Sequence, residues 1–333
     1  MTGTLTEKSA LIILLFCGAA FGRAIDSGKY GGAFLESGIG CRSMGMGGAS
    51  AASARDVTAI YWNPAGLTAS KGLELHAMHA ERFAGIVNFD FIGAATSLKN
   101  GLAIGIGLIR LGVDDIPVTR LHNPDLQLGE IYIDDKGRKV INYPYIKKRI
   151  NDTENALFLS FARRYGSRIS LGGSVKIIHK NVSPYQAWGI GFDIGATAAL
   201  TSTLEAGIIL RECTSTLIAW KGGTREQILP NAQAGLLYKL NVGSFRIIPE
   251  CDLVVHLDNR AGEGFLRWRG VTLGVRGGVE VAYREKVFLR CGSRDGRFTA
   301  GAGIRIDKYG VDYGFSTHAA LGNSHHVSVT FHL

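Results

Sequence analysis

The feature that most constrains this chain is a long alternation of apolar residues with glycines and charges. In Val271–Tyr283, one face is mostly valine, whereas the other face carries Arg276, Glu280 and glycine. Residues 189–200 and 298–306 repeat this pattern. A face of glycine and charge makes a poor protein core, because unpaired buried charges are costly. That face suits a wet or plugged lumen and the apolar face suits lipid, so the pattern predicts a transmembrane β-barrel.

About fourteen such segments fill the chain after residue 70, and an even number is expected for a bacterial barrel. We therefore predict an all-β fold, a transmembrane antiparallel β-barrel of about 14 strands with a short N-terminal helical plug. The predicted strands are residues 73–82, 86–98, 101–111, 154–165, 169–180, 189–200, 204–211, 231–240, 245–256, 271–283, 287–292, 297–306, 310–317 and 325–333.

The connections between these segments alternate in length. The even-numbered ones are short, whereas the third, fifth, seventh and ninth are longer, which is typical of periplasmic turns and extracellular loops. An even strand count then places both termini on the periplasmic side. The third connection, 112–153, carries charges of both signs and a pattern typical of a small hairpin at 131–143. We expect it to fold over the outer mouth, with a plain solvated loop as the alternative.

The first residues are typical of an export signal. Lys8 precedes an apolar run at 10–21 that is too short to span a bilayer. Small residues favour cleavage after Ala24, with cleavage after Gly22 as the alternative. The predicted divisions are a signal peptide at 1–24, a plug segment at 25–70 and the barrel at 71–333.

Composition and motifs exclude several classes of function. The five cysteines lack paired spacing, so we predict neither a disulfide framework nor a metal site. No phosphate loop or nucleophile elbow supports an enzyme or a cofactor. The net charge of +9 is spread along the chain, which does not favour nucleic-acid binding. We expect a monomeric non-enzyme in contact with outer-membrane lipid.

Residues 40–67, GCRSMGMGGASAASARDVTAIYWNPAGL, form the one long stretch without a strand pattern. Alanine and serine at 49–60 predict a short helix. Asn63 should end it, because the residue before proline avoids the helical region. The glycines should allow tight turns and close approach to the barrel wall. The residues assigned to this plug and turn motif are Gly45, Met46, Gly47, Gly48, Asp56, Tyr61, Trp62, Asn63, Pro64, Ala65 and Gly66.

This motif resembles the start of the PorV/FadL-like family of bacterial outer-membrane β-barrels, of the PorV/PorQ type within the FadL superfamily. The glycine-rich residues 44–49 and the run AIYWNPAGL at 59–67 carry the likeness. The resemblance implies a plug tucked into the periplasmic end of a fourteen-stranded barrel. It also implies a channel or transporter for hydrophobic small molecules such as fatty acids, or a PorV-like component of type IX-like protein secretion. A closed structural barrel is the third hypothesis.

The last strand supports insertion into an outer membrane. Val327, Val329, Phe331 and Leu333 alternate with polar residues up to the chain end. This strand resembles the C-termini that the β-barrel assembly machinery reads. The expected partners are therefore that machinery, outer-membrane lipid, and either a hydrophobic small-molecule ligand or a secreted protein cargo. The expected location is the bacterial outer membrane.

Charged residues on the inward face are the remaining candidate site residues. They should neutralise one another across neighbouring strands and so stiffen the barrel, or instead line a pore. These lumen charges are Asp193, Glu250, Asp252, Arg276, Glu280, Arg290, Arg305 and Asp312.

Overall fold

The computed structural model describes residues 32–83, 85–257, 266–268, 270–317 and 322–333. The predicted signal peptide, its cleavage site and plug residues 25–31 lie outside this part of the chain. Among the described residues, no helix combines the length and the apolar character needed to cross a membrane.

The described chain forms a closed antiparallel β-barrel of fourteen strands, as predicted. Successive strands pair along the chain, and the first pairs with the last, where Leu75 faces Phe331. The strands are β1 (Leu73–Arg82), β2 (Val87–Ser97), β3 (Leu102–Leu121), β4 (Pro144–Tyr165), β5 (Ile169–Val182), β6 (Tyr185–Ala199), β7 (Leu204–Arg211), β8 (Asn231–Tyr238), β9 (Phe245–His256), β10 (Val271–Tyr283), β11 (Val287–Arg294), β12 (Arg297–Ile306), β13 (Tyr309–Ser316) and β14 (Ser324–His332).

Shorter elements complete the chain. Before β1 lie helices α1 (Cys41–Gly45) and α2 (Ala59–Trp62), and the 3₁₀ turns Ala33–Ser37 and Pro64–Ala69. Another 3₁₀ turn, Lys99–Gly101, joins β2 to β3. The remaining short strands are Ile131–Ile133, Lys139–Ile141, Thr216–Trp220, Arg225–Ile228, Leu240–Val242 and Leu266–Trp268.

The two faces of the wall follow the alternation in the sequence. On β10, Thr272, Arg276 and Glu280 are buried inside the barrel, whereas Val275 and Tyr283 are exposed on the outside. The turns after β2, β4, β6, β8, β10 and β12 lie at one end, which we call the short-turn end. Because lipid would cover the outer apolar side chains, this arrangement is that of a transmembrane barrel.

The largest difference from the predicted strands is at β3 and β4. They continue beyond the barrel as a two-stranded ribbon, in which Ile116 faces Ile150 and Leu121 faces Pro144. The predicted small hairpin is confirmed at the tip of this ribbon. Solvent reaches both faces of the ribbon, including Ile146, and its folding over the outer mouth stays a prediction.

The fifth connection was also predicted too long. Only two residues separate β5 from β6, because Val182 and Tyr185 still face each other in the ladder. The sequence around this turn contains no run of alternating apolar residues, so its strand character comes from backbone pairing with β4 and across the turn.

The predicted helix at 49–60 is wrong. The backbone there forms successive turns, and α2 begins only at Ala59. The N–H groups of residues 50–53 donate to wall carboxylates instead of to carbonyls of a helix. Tertiary contacts therefore override the helical propensity of alanine. Asn63 is extended, with φ of −166°, and ends α2 as the following proline predicts.

The inner wall divides into an apolar half and a polar half. In register across β1 to β5, the buried side chains Met78, Phe91, Ile109, Ala156 and Ile178 form a continuous row that we call the apolar stripe. From β8 to β14, the inner face carries mainly buried carboxylate, guanidinium, amide, hydroxyl and imidazole groups. The lumen therefore presents two chemically different surfaces to whatever fills it.

Candidate functional site

Residues 32–70 occupy the interior of the barrel, and we call this segment the plug. Nearly all of its residues are buried. Phe34, Ile39, Ile60, Trp62 and Leu67 form one apolar cluster with the apolar stripe. On its other side, the plug presents backbone N–H groups and an arginine to the polar half. The plug therefore has an apolar side that packs on the apolar stripe and a polar side that faces the polar half of the lumen.

Two carboxylates of β9 hold the plug by its backbone. Oδ2 of Asp252 accepts from the N–H groups of Ser50 and Ala51, at 2.9 and 3.0 Å. Oε1 of Glu250 accepts from the N–H groups of the next two residues, at 2.9 and 3.2 Å. Hydrogen bonds to an ionised acceptor are stronger than neutral ones. Four of them converge on this turn, which makes β9 a major anchor of the plug.

Glu280 on β10 joins the plug to a ladder of wall charges. Arg42 donates to both of its carboxylate oxygens, from Nε at 3.0 Å and from Nη2 at 3.1 Å. Arg290 on β11 donates to Glu280 at 2.6 Å and to Asp312 on β13 at 2.5 Å. The predicted pairing across strands is therefore observed at Glu280 and Arg290. Each of these four charged side chains has a partner of opposite charge, which avoids the cost of an isolated ion.

Gln233 on β8 is a site residue that the sequence pattern did not single out. Its Oε1 accepts from Arg211 at 3.0 Å and from Arg276 at 3.1 Å. Its Nε2 donates to the carbonyl of Gly48 at 3.0 Å and to Asp252 at 2.6 Å. Asp252 and Arg276 face each other across β9 and β10, and this amide hydrogen-bonds to both of them. Its inward position on β8 was the only available signal.

Tyr61 and Trp62 fold the plug back on itself. The hydroxyl of Tyr61 donates to the carbonyl of Leu35, and Nε1 of Trp62 donates to the carbonyl of Ile39 at 2.8 Å. The guanidinium of Arg211 lies over both rings, 5.4 Å from the Tyr61 centroid and 5.8 Å from that of Trp62. These contacts explain why two aromatic side chains with polar atoms can be fully enclosed.

Asn63 bonds the plug to the wall at the start of the turn that Pro64 opens. Its Nδ2 donates to the carbonyl of Ala51 at 2.6 Å, and to the carbonyls of Ala196 on β6 and Ile208 on β7, at 3.1 and 3.3 Å. Its Oδ1 accepts from the first turn of the 3₁₀ segment. The side chain is buried, and both ends of its amide are used.

The glycines of the motif lie against the backbone of the wall. A Cβ on Gly45 would come within 3.1 Å of the Cα of Gly301. A Cβ on Gly47 would overlap the carbonyl oxygen of Ser293. Gly47 and Gly48 also have φ of +70° and +76°, which favours glycine. The predicted tight turns and close approach are therefore present.

Glycines of the wall make matching room for the plug. A Cβ on Gly278 would come within 2.6 Å of the carbonyl oxygen of Met46, and one on Gly172 within 2.5 Å of the nitrogen of Ala65. A Cβ on Gly66 would overlap the plug's own backbone. The glycine-rich inner face that identifies a barrel in the sequence is thus also the surface on which the plug rests.

Asp56 lies near the short-turn end of the plug. It accepts a hydrogen bond from the N–H of Thr58 at 2.9 Å and another from the Thr58 hydroxyl. Burial by itself raises the pKa of Asp56, but His76, the Thr58 hydroxyl and Arg42 together hold that pKa below its usual range. The carboxylate therefore stays ionised and fixes the turn before α2.

The wall ladder is irregular beside β7, although the N–H of Cys213 still donates to the carbonyl of Phe192 at 2.9 Å. β6 pairs with β7 and then, after a gap, with Thr216–Trp220. Within the gap, Glu212 and Ser215 have φ of +54° and +57°, which breaks the extended backbone. Behind the gap, the buried ammonium of Lys176 pairs with Asp193 at 2.8 Å and with Glu212. We call this place the wall break.

The described part of the molecule contains cavities both inside the barrel and at its short-turn end. A cavity of about 40 Å³ between the plug and strands β4 to β10 has room for a few water molecules. A cleft of about 330 Å³ lies at the short-turn end, where Arg305 packs over the ring of Phe288. Among the described residues, no three His, Cys, Asp or Glu side chains are placed to hold a metal ion.

The chain is similar to known proteins in its structure and not in its sequence. No family model and no curated protein matches the sequence. The structure is similar to the CymD monoaromatic hydrocarbon channel, with a TM-score of 0.57 and 14% identity over 89% of this chain and 98% of that one. It is similar to the toluene transporter TbuX of Ralstonia pickettii, with a TM-score of 0.53 and 14% identity over 88% and 97%. A FadL homologue of Pseudomonas aeruginosa gives a TM-score of 0.54 and 11% identity over 88% and 98%.

The chain has the fold of the FadL-type channels. This fold agrees with the predicted number of strands and with part of the sequence resemblance. Identities of 11 to 14% show the fold and leave the ligand open. The PorV type is not shown, since none of these three structures is described as a secretion component.

Proposed function

We propose that the protein is a bacterial outer-membrane channel for hydrophobic small molecules, with its short-turn end in the periplasm. The apolar stripe carries this proposal. Its side chains, such as Phe91 and Ile109, face the lumen and not lipid, although a lumen for ions or sugars would be polar. The plug covers this surface in the structure, so a hydrophobic solute gains an apolar path out of water where the plug moves away from the stripe. The FadL-type fold supports the proposal, because solved proteins with this fold include hydrocarbon channels.

The plug closes the direct path through the barrel. It is held by the carboxylates of β9, by Glu280 and by Asn63, all from within the lumen. A solute on the apolar stripe therefore leaves either by displacing these bonds or by passing sideways. The wall break adjoins the stripe, since Ile178 faces Gly189 and Gly189 faces Ile218. We propose the sideways route, because it delivers an apolar solute into lipid without crossing water.

The test is uptake of radiolabelled toluene and of a radiolabelled fatty acid by a bacterial host that lacks its own channels for them. The informative variant is Ile109→Asn, which places an amide in the middle of the stripe. The matched control is Thr272→Asn, a buried inward residue of the polar half. Burying an amide beside apolar groups costs about 1–3 kcal/mol, so we expect Ile109→Asn to reduce uptake by roughly tenfold.

Two results would overturn the proposal. Uptake by the wild-type protein equal to that of cells without it would indicate a closed structural barrel. Equal effects of Ile109→Asn and Thr272→Asn would mean that the apolar stripe is not the path. Folding of each variant is checked by the heat-dependent shift in gel mobility that intact barrels show. The secretion role retains only the sequence motif as support, and no contact among the described residues favours it.

A further inference from the structure

The short-turn end carries a groove that the proposed transport path does not use. The cleft of about 330 Å³ and a second cleft of about 180 Å³ meet there, and both are lined by Arg55 and Ala69 of the plug. The larger cleft extends to Arg305 on β12 and the smaller one to Arg168 in the turn after β4. Together they form one elongated groove across the end of the plug.

Cationic side chains dominate the lining of this groove. They come from the plug, from the turns and from strand ends, so several distant parts of the chain contribute to one surface. The six that matter for the argument are Arg55, Arg164, Arg168, Lys239, Arg246 and Arg305.

The carboxylates in the groove are already engaged. Glu205 pairs with both Arg55 and Lys239, so one negative charge serves two positive ones. Glu280 is occupied by Arg42 and by a wall arginine. Asp56 and Glu74 also line the larger cleft, and Glu285 beside it pairs with Arg246. Eight Lys and Arg side chains and four carboxylates line the two clefts, so positive charge is in excess there.

Neighbouring positive charge also lowers the pKa values of two of these cations, Lys239 and Arg55. Burial, together with the neighbouring Arg55 and Arg246, lowers the pKa of Lys239 to about 8. Burial and Arg42 lower the pKa of Arg55. Burial is the largest cause in both cases and neighbouring positive charge adds to it, so an added anion would favour the charged form of each side chain.

We propose that this groove docks an extended acidic peptide segment of a soluble partner. The two clefts share Arg55 and Ala69 and extend from there to Arg168 and to Arg305, so an extended chain can contact both, whereas a compact anion would occupy only one of them. Plug residues such as Ala52 and Ala69 line the groove together with residues of the turn after β4, such as Ser167. The inference concerns binding alone and holds whether or not the barrel transports a hydrophobic solute.

The experiment measures binding of a fluorescent glutamate peptide to the folded full-length protein in neutral detergent, by fluorescence anisotropy. A peptide of about ten residues spans roughly 33 Å when extended. A glutamine peptide of the same length is the uncharged control. Arg168→Gln and Arg305→Gln remove one charge at each end of the groove, and Lys148→Gln removes one exposed charge from the outer ribbon.

We expect each groove variant to weaken peptide binding by about threefold and the double variant by about tenfold, which is the range for exposed charge pairs. Salt should weaken binding, and Lys148→Gln should leave it unchanged. No binding, equal binding of the glutamine peptide, or equal loss in Lys148→Gln would overturn the proposal. So would full displacement by inorganic phosphate, which would indicate a compact anion site. Loss of binding in nanodiscs of anionic lipid but not of zwitterionic lipid would assign the groove to headgroups.

Discussion

Glu280 is the residue whose change should most clearly release the plug. Its carboxylate accepts three hydrogen bonds from two guanidiniums, at 2.6 to 3.1 Å, and its side chain is 5% exposed. Glu280→Gln keeps the shape but leaves one acceptor oxygen and no charge, so Arg42 and Arg290 lose their shared partner. Removing one member of a buried ion pair costs about 3–5 kcal/mol. Arg42 is partly accessible, so we take about 3 kcal/mol, which is roughly a 100-fold change in plug opening.

The assay is the labelling rate of Cys41, which is fully buried in the plug next to Arg42. Cys251 and Cys291 are exposed and Cys213 is half-buried, so all three are first replaced by serine or alanine. In this background, a thiol reagent reaches Cys41 only when the plug opens. We expect Glu280→Gln to raise the labelling rate by roughly 100-fold while the barrel keeps its heat-dependent gel shift.

The control is Glu285→Gln, which removes a surface carboxylate that pairs with Arg246. Such pairs contribute about 0–1 kcal/mol, so the labelling rate should stay within roughly fivefold of the parent. An increase below about threefold in Glu280→Gln, equivalent to about 0.6 kcal/mol, would refute the reasoning. It would mean that the carboxylates of β9 and Asn63 hold the plug without help from the Glu280 ladder.

Three further predictions use the same labelling assay. Burial raises the pKa of the Cys41 thiol from an ordinary value near 9.0 to about 12, so the stability that the neutral thiol provides is present below pH 9 and is lost as pH rises toward 12. Labelling should therefore rise more steeply above pH 9 than that of a free thiol, and a parallel rise would contradict this. Gly47→Ala should open the plug at least tenfold, because a Cβ overlaps the Ser293 carbonyl. Gly85→Ala, at a similar φ of +83° in open space, should leave Cys41 protected. Asn63→Asp should raise labelling by roughly 100-fold, since a carboxylate would face three carbonyl oxygens, and unchanged labelling would argue against the bonds to the wall.

Strand positions were predictable because the alternation of a barrel wall is local. A residue that faces lipid is apolar whatever its neighbours are, so β10 and β9 could be predicted to the residue. The strands of the ribbon beyond Gly112 could not be predicted, because the ribbon faces water on both sides and its sequence does not alternate between apolar and polar residues. Its strands exist only because β3 and β4 pair with each other.

The position of the plug motif was predictable, but the contacts of the plug were not. Alanine and serine at 49–60 favour a helix in isolation, yet their N–H groups bond to Glu250 and Asp252, about two hundred residues away in the chain. Apart from their inward positions, nothing in the sequence distinguished Gln233 and Lys176. Gln233 hydrogen-bonds to the plug, and Lys176 pairs with Glu212 at the wall break.

The amino-acid sequence therefore determines the barrel fold, the number of its strands and the position of the plug in the chain. Each of these depends on short-range periodicity or on a contiguous motif. The closed arrangement of the strands brings together what is distant in the chain. It places an apolar stripe opposite a polar half, sets glycine against glycine where the plug meets the wall, and gathers the cations of the short-turn groove. These features depend on register and long-range pairing, which no local window of the chain encodes.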